Sequence, residues 1–181
     1  MIANIGFISL NLALVTVLSQ VILAIILAAS LQNKKSNYKL LGNFLLRSPK
    51  DINFAIKSQL HLTFCATILC ILSMLCLIYS FIISDYSVSN VYYNSSHLKP
   101  LIYRISGAWG NHEGSILLLV TILTIYNSAF AILSNIKNDI KSNILSVQAF
   151  ITLGILLFIV LTSNPFLRIY PVPNLGLGLN P

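Results

Sequence analysis

Charge is what this sequence has least of. Of its 181 residues only 8% are charged, about a third of the one-quarter typical of soluble domains. Just four are acidic. An ordinary water-soluble domain is thereby excluded. Internal repeats and low-complexity tracts are absent too, which removes solenoids, propellers and disordered linkers from consideration. Cysteine occurs three times, and Cys65, Cys70 and Cys76 follow one another at spacings that match no metal or haem-attachment pattern. On a helix they point in different directions, so they are read as small apolar packing residues.

What the chain does have is apolar length: 56% of it is hydrophobic. Residues 5–31, 58–84, 114–136 and 142–167 contain no Asp, Glu, Lys or Arg. Each exceeds the roughly 20 residues needed to cross a bilayer. The expectation is an all-α integral membrane protein, one transmembrane domain over 1–181 with about four transmembrane helices. The first stretch is too long for the apolar core of a secretory signal and no basic residue precedes it, so it is read as a retained span.

A net charge of +7 would point to nucleic acid in a soluble protein. Here no nucleic acid partner is expected, because position explains the charge. Lys34, Lys35, Lys39, Arg47, Lys50 and Lys57 lie between the first two spans against one acid, Asp51. That is the positive-inside pattern. It puts both termini and an outer segment, 85–113, on the periplasmic or intermembrane-space side. The apolar run 40–46 within the basic segment is expected along the headgroups, with membrane lipid as partner.

In the outer segment, β-branched and aromatic residues over 85–94 predict an extended, strand-like stretch. Residues 101–110 predict a short interfacial helix before the third span. Tyr92, Tyr93, Tyr103 and Trp109 have rings suited to headgroup level. Asn94-Ser95-Ser96 is formally a glycosylation acceptor, of low specificity. Three prolines, Pro165, Pro171 and Pro173, predict that the fourth helix gives way to an extended outer tail, 168–181, inviting a partner that continues the fold.

Groups able to do chemistry are few. His61 is read as interfacial and His97 as a solvated loop residue. The one dense constellation is Trp109, Gly110, Asn111, His112, Glu113, Gly114 and Ser115, where the outer segment enters the third span. Asn111 can cap that helix and Glu113 suits its positive end. A His–Glu pair beside an indole could equally orient a ligand or hold a carboxylate. The residues alone leave both readings open. The four spans carry no Lys, Arg, Asp or Glu, which argues against ion translocation. A haem-binding electron carrier would need paired histidines in facing helices.

Residues 109–118, WGNHEGSILL, resemble the WG-x-HEGS-LLL segment of the CcmF/NrfE haem lyase family, and Tyr103-Arg104-Ile105 resembles its lead-in. Two more segments match in order. Asp85-Tyr86-Ser87-Val88 with Val91 and Asn94-Ser95 is similar to the family's D-[FY]-[ST]-V-x-x-V and following NS. Thr162-Ser163-Asn164-Pro165-Phe166 with Leu179-Asn180-Pro181 is similar to TSNPF…LNP. Departures are Leu119, where the family commonly has Trp, and Leu177 and Gly178, where an Arg-Asp pair usually stands. The family's Trp-rich WWD segment and haem-ligating histidines have no counterpart in these residues.

The resemblance implies the N-terminal piece of a split CcmF, multi-pass in the mitochondrial inner membrane or alternatively the bacterial plasma membrane. It implies no catalytic, cofactor or metal residues in this chain alone and haem b in the complete assembly. Implied partners are other CcmF pieces carrying the WWD segment and haem ligands, other cytochrome c maturation subunits and, indirectly, apocytochrome c. Docking or haem-proximal candidates are Trp109, Gly110, Asn111, His112, Glu113, Gly114, Ser115, Asn164, Pro165, Asn180 and Pro181. The alternative is a small non-catalytic membrane subunit of a respiratory complex or transporter.

Overall fold

In a lipid setting a backbone must satisfy its own hydrogen bonds, so long apolar stretches free of proline become helices. The computed structural model describes residues 1–33 and 49–178. Within them run α1 (Ile2–Asn33), α2 (Pro49–Ile82), α3 (Ser89–Asn94), α4 (Leu101–Gly107), α5 (His112–Leu133) and α6 (Asn138–Leu161). Four of these, α1, α2, α5 and α6, are long and apolar enough to span a membrane. The chain is an all-helical, multi-pass membrane protein. The basic-loop run 40–46 and the candidates Asn180 and Pro181 lie outside the described residues.

Successive spans pack side by side, α1 on α2, α2 on α5 and α5 on α6, and α6 returns to α1. Their apolar core includes Leu10, Val17, Leu77, Phe81, Leu117, Leu156 and Ile159. Hydrophobicity cannot drive helices together in lipid, so polar contacts act as the cement. Gln59, fully buried, donates from Nε2 to Ser146 Oγ at 3.0 Å and accepts from Ser142 Oγ at 2.6 Å. Gln20 donates to Thr63 at 2.9 Å. Thr67 donates to the Thr124 carbonyl at 2.8 Å and lies 2.7 Å from Ser128 Oγ.

Several boundaries differ from expectation, for identifiable reasons. The second helix begins at Pro49, not at 58, because a proline is at home in a helix's first turn and Lys50, Asp51 and Lys57 need only leave the bilayer, not the helix. At 34 residues it is about 50 Å long, well beyond the ~30 Å hydrocarbon core. It stops at Ile82 with Ser84 left-handed (φ 54). Asp85 N donates to the Ser80 carbonyl at 3.0 Å and Ser84 N to that of Phe81 at 3.2 Å, which is a Schellman closure. Arg104 caps the same end, donating to the Ile82 carbonyl at 2.9 Å.

The fourth helix ends at Leu161 and not at 167. Asn164 precedes a proline, which disfavours helical geometry there, and its Oδ1 accepts from Phe166 N at 3.0 Å. The strand expected over 85–94 is replaced by a single bridge, Val88 to Arg168, followed at once by α3. An extended run needs a long partner edge, and the tail supplies one residue of it, so local context overrides β-propensity. The short helix expected over 101–110 is present as α4.

The non-helical tail pairs with residues of its own chain. Ile169 N donates to the Ser87 carbonyl at 3.0 Å, Leu177 N to Tyr92 at 2.9 Å and Gly178 N to Ser95 at 3.2 Å. Its start is held by charge. Arg168 pairs with Asp85 at 3.6 Å, donates to Ser87 Oγ and reaches Asn4 Oδ1 at 2.6 Å. Thus the beginning of α1, the turn after α2 and the tail after α6 meet in one clamp. Glycines permit the close approaches that follow. A Cβ on Gly114 would overlap the Ala108 carbonyl, one on Gly176 would strike Ser95 and Tyr86, and one on Gly154 would meet nothing within 4 Å.

Two predictions result. Gly114→Ala should cost about 2–3 kcal/mol through overpacking against backbone, whereas Gly154→Ala should be neutral or gain up to ~1 kcal/mol. Thermal unfolding of the two variants in detergent compares them, and equal midpoints would contradict the packing described. Arg168→Gln should loosen the tail and speed proteolysis within 169–178 about tenfold, the equivalent of one lost charged hydrogen bond. Unchanged cleavage rates would show that the backbone pairings suffice without the clamp.

Candidate functional site

A polar cluster lies where α5 begins, far along the chain from Lys57 near the start of α2. There α5 begins and α6 ends, and α3 contributes Ser89, Asn90, Tyr93 and Asn94. A cleft of about 450 Å³ opens between them, lined by Ser89, Asn90, Tyr93, Asn94, Asn111, His112, Glu113, Thr162, Ser163, Asn164 and Leu167. Most of that wall is amide, hydroxyl, imidazole or carboxylate, whereas the hollow between α1 and α6, lined by Ala24, Ala28 and Phe150 among others, is chiefly apolar.

Asn111 builds the cleft's rim. Its Oδ1 accepts from Gly114 N at 2.7 Å and its Nδ2 donates to the Gly107 carbonyl at 2.7 Å. One side chain therefore caps the start of α5 and satisfies the end of α4. His112 follows, with Nδ1 sharing a hydrogen bond with Ser163 Oγ at 3.0 Å and its ring edge-on to Phe158 at 6.2 Å. That bond joins the WGNHEGS segment to the TSNPF segment across 51 residues. Glu113 stands in the first turn of α5, where a carboxylate meets the positive end of the helix dipole.

Of the sequence candidates, Asn111, His112, Glu113 and Asn164 share this cleft. Trp109, Gly110, Gly114, Ser115 and Pro165 do not line it. Trp109 is 39% exposed beside it, Ser115 donates to the His112 carbonyl at 2.9 Å, and Gly110 and Gly114 pack against the chain's own Ser106 and Ala108 carbonyls. Ser89, Asn90, Tyr93, Asn94, Thr162, Ser163 and Leu167 complete the wall and were not among the site candidates from sequence. Asn90 and Asn94 form a one-turn pair, with Asn94 Nδ2 donating to the Asn90 carbonyl at 2.9 Å and to Asn90 Oδ1 at 3.0 Å. The signal was their spacing of four, which has meaning only once 89–94 is helical. The same bonds engage the Asn94 amide that the glycosylation reading needed free, and Ser95 is fully buried.

The other histidines lie elsewhere. His97 receives a 3.3 Å contact at Nδ1 from Tyr86 Oη, and its own backbone N donates to that hydroxyl at 2.7 Å. His61 sits exposed on α2. Only His112 lines the cleft, and among the described residues no three His, Cys, Asp or Glu side chains come together as a metal site. The cleft therefore offers one histidine and not the pair that a bis-histidine haem needs.

Comparison with known proteins gives the chain its relations. No family model matches. Over 106 residues, 58% of this chain, it is 48% identical to the cytochrome c-type biogenesis protein CycK of Rhizobium meliloti. It is 40% identical over 111 residues to CcmF of Escherichia coli and 37% identical over 128 residues, 70% of this chain, to NrfE of Haemophilus influenzae. It spans 16%, 17% and 20% of the lengths of those three proteins. The solved structure titled cytochrome c heme lyase CcmF superposes over 92% of this chain and 25% of its own with a TM-score of 0.72 at 20% identity, so the helical arrangement is shared. By sequence relationship and fold, the chain belongs to the CcmF/NrfE type of cytochrome c-type biogenesis proteins, of which it represents a part.

Proposed function

We propose that this chain is the N-terminal piece of a CcmF-type subunit and that it serves as scaffold and docking surface for the portion that handles haem. The observation that carries this is the 37–48% identity to CycK and NrfE relatives of which the chain spans no more than a fifth. The remaining portion would supply the haem ligands, since the histidines described here do not pair. The lyase step, joining haem vinyl groups to apocytochrome c thiols, then belongs to the assembly, and this chain contributes no group to it.

In this reading the amide-rich end faces the periplasm or intermembrane space, in the mitochondrial inner membrane or a bacterial plasma membrane. The docking face would comprise Trp109 to Ser115 with Asn164 and Pro165, and Asn180 and Pro181 beyond the described residues. Trp109 is the natural anchor, a large ring, 39% exposed, whose residue is fixed through its backbone N–H to the Ser106 carbonyl at 3.2 Å. Losing such an anchor typically costs more than ~2 kcal/mol, or ~30-fold in association. A non-catalytic respiratory subunit is the competing reading, and the partners that co-purify decide between the two.

Orientation is tested with a membrane-impermeant thiol label applied from the outer face. It should react with Cys introduced at Ser96 and not at Ser36, and the reverse pattern overturns the assignment. Function is tested by Trp109→Ala in the native assembly, read by blue-native electrophoresis beside an immunoblot of the chain. The expected result is loss of the high-mass band with the chain at normal abundance, reduced cytochrome c maturation and, in the wild type, co-purifying CcmF-type pieces. Proportional loss of chain and band would make the rim a structural helix start only.

A further inference from the structure

The cleft contains two groups of opposite character that nothing in the described chain answers. Asn90 is 5% exposed; its Oδ1 is occupied by Asn94, and its Nδ2 has no partner. A buried donor left unmet is a standing penalty that an incoming acceptor oxygen removes. In the same wall is Glu113, half-buried, while the ion pair recorded among the described residues is Asp85 with Arg168. Its carboxylate faces the cleft without a cation. Beside it are the first-turn N–H groups of α5 not taken by Asn111, which favour negative charge.

The depth of the cleft narrows what could answer both groups. His112 and Leu161 are the terminal residues of two spans, and Thr162 to Asn164 leave the second of them, so the opening sits at headgroup level. Leu161, which ends the second of these spans, and Leu167, which lines the cleft, are both exposed, and Tyr93 of the lining presents an exposed ring. An occupant therefore needs an anionic oxygen for Asn90 and the start of α5, a cationic donor for Glu113, and an apolar continuation toward the bilayer.

We propose that the cleft seats the head group of a phospholipid bearing a primary amine, with phosphoethanolamine chemistry. The ammonium donates to the Glu113 carboxylate and lies toward the Tyr93 ring. The phosphate accepts from the Asn90 amide and the free N–H groups of α5, and the acyl chains run down past Leu161 and Leu167. A choline head group has no N–H to give Glu113, and a phosphoglycerol head group brings no cation at all. This assignment rests on the cleft and not on the family reading, so its failure would leave that reading untouched.

The test is native mass spectrometry of the full chain, purified in mild detergent and offered equal amounts of phosphatidylethanolamine, phosphatidylcholine and phosphatidylglycerol with identical acyl chains. Retention of the ethanolamine lipid should exceed each of the others about tenfold, as one charge-assisted hydrogen bond allows. Glu113→Gln should bring the three to parity, Tyr93→Leu should lower the preference several-fold, and Gly154→Ala, with open space around it, should leave it unchanged. Equal retention by the wild type, or a preference that survives Glu113→Gln in a chain still eluting as the wild type, overturns the proposal. Competition by free phosphoethanolamine at concentrations matching the lipid would overturn the lipid assignment in favour of a soluble zwitterion.

Discussion

A bilayer offers no water to a main-chain N–H or carbonyl, and that constraint organises this chain. The four spans meet it by being helices. The harder problem is at the ends of the helices, where unpaired groups remain on each. At one end of the bundle the chain solves it with side chains borrowed from neighbouring elements. Arg104 serves the Ile82 carbonyl that ends α2, Asn111 serves both the close of α4 and the start of α5, and Ser163 holds the first residue of α5. Asn111, His112 and Ser163, which make the latter bridges, line the cleft.

The same solution explains how a chain so poor in charge spends it. Of its four acids, Asp85 goes to the clamp with Arg168 and Glu113 to the first turn of α5, both at the cleft end. Inside the bundle the polar work is done by uncharged groups, among them Gln59, Gln20, Thr67 and Ser128. Amides and hydroxyls join helices in lipid at far lower desolvation cost than ions would.

Much of this was legible beforehand. Four helices followed from length and apolarity, the Asn111 cap from residue type, and the family from WGNHEGS and TSNPF. Boundaries were less so, because a charge does not end a helix and a polar triplet before proline does, as Lys57 and Asn164 show. The cleft could not be read as a cleft. His112 and Ser163 are 51 residues apart, and nothing local to either announces their contact. Asn90 and Asn94 were hidden by a stretch whose residues favour strands but whose partner edge is one residue long. The neighbours of Gly110 and Gly114, the Ser106 and Ala108 carbonyls, are equally invisible in sequence.

The reach from Asn4 to Arg168 spans 164 positions, and that separation has a consequence in time. While the polypeptide is being threaded into the membrane, the first helix must wait for the last before its mouth can be fastened. Until α6 has packed, neither Asp85 nor Asn4 has Arg168 as its partner, and the wall contributed by Ser163 and Asn164 does not exist. Earlier intermediates are inserted but open at that end. Any factor that recognises the closed form therefore distinguishes a chain in which α6 has packed from one in which it has not.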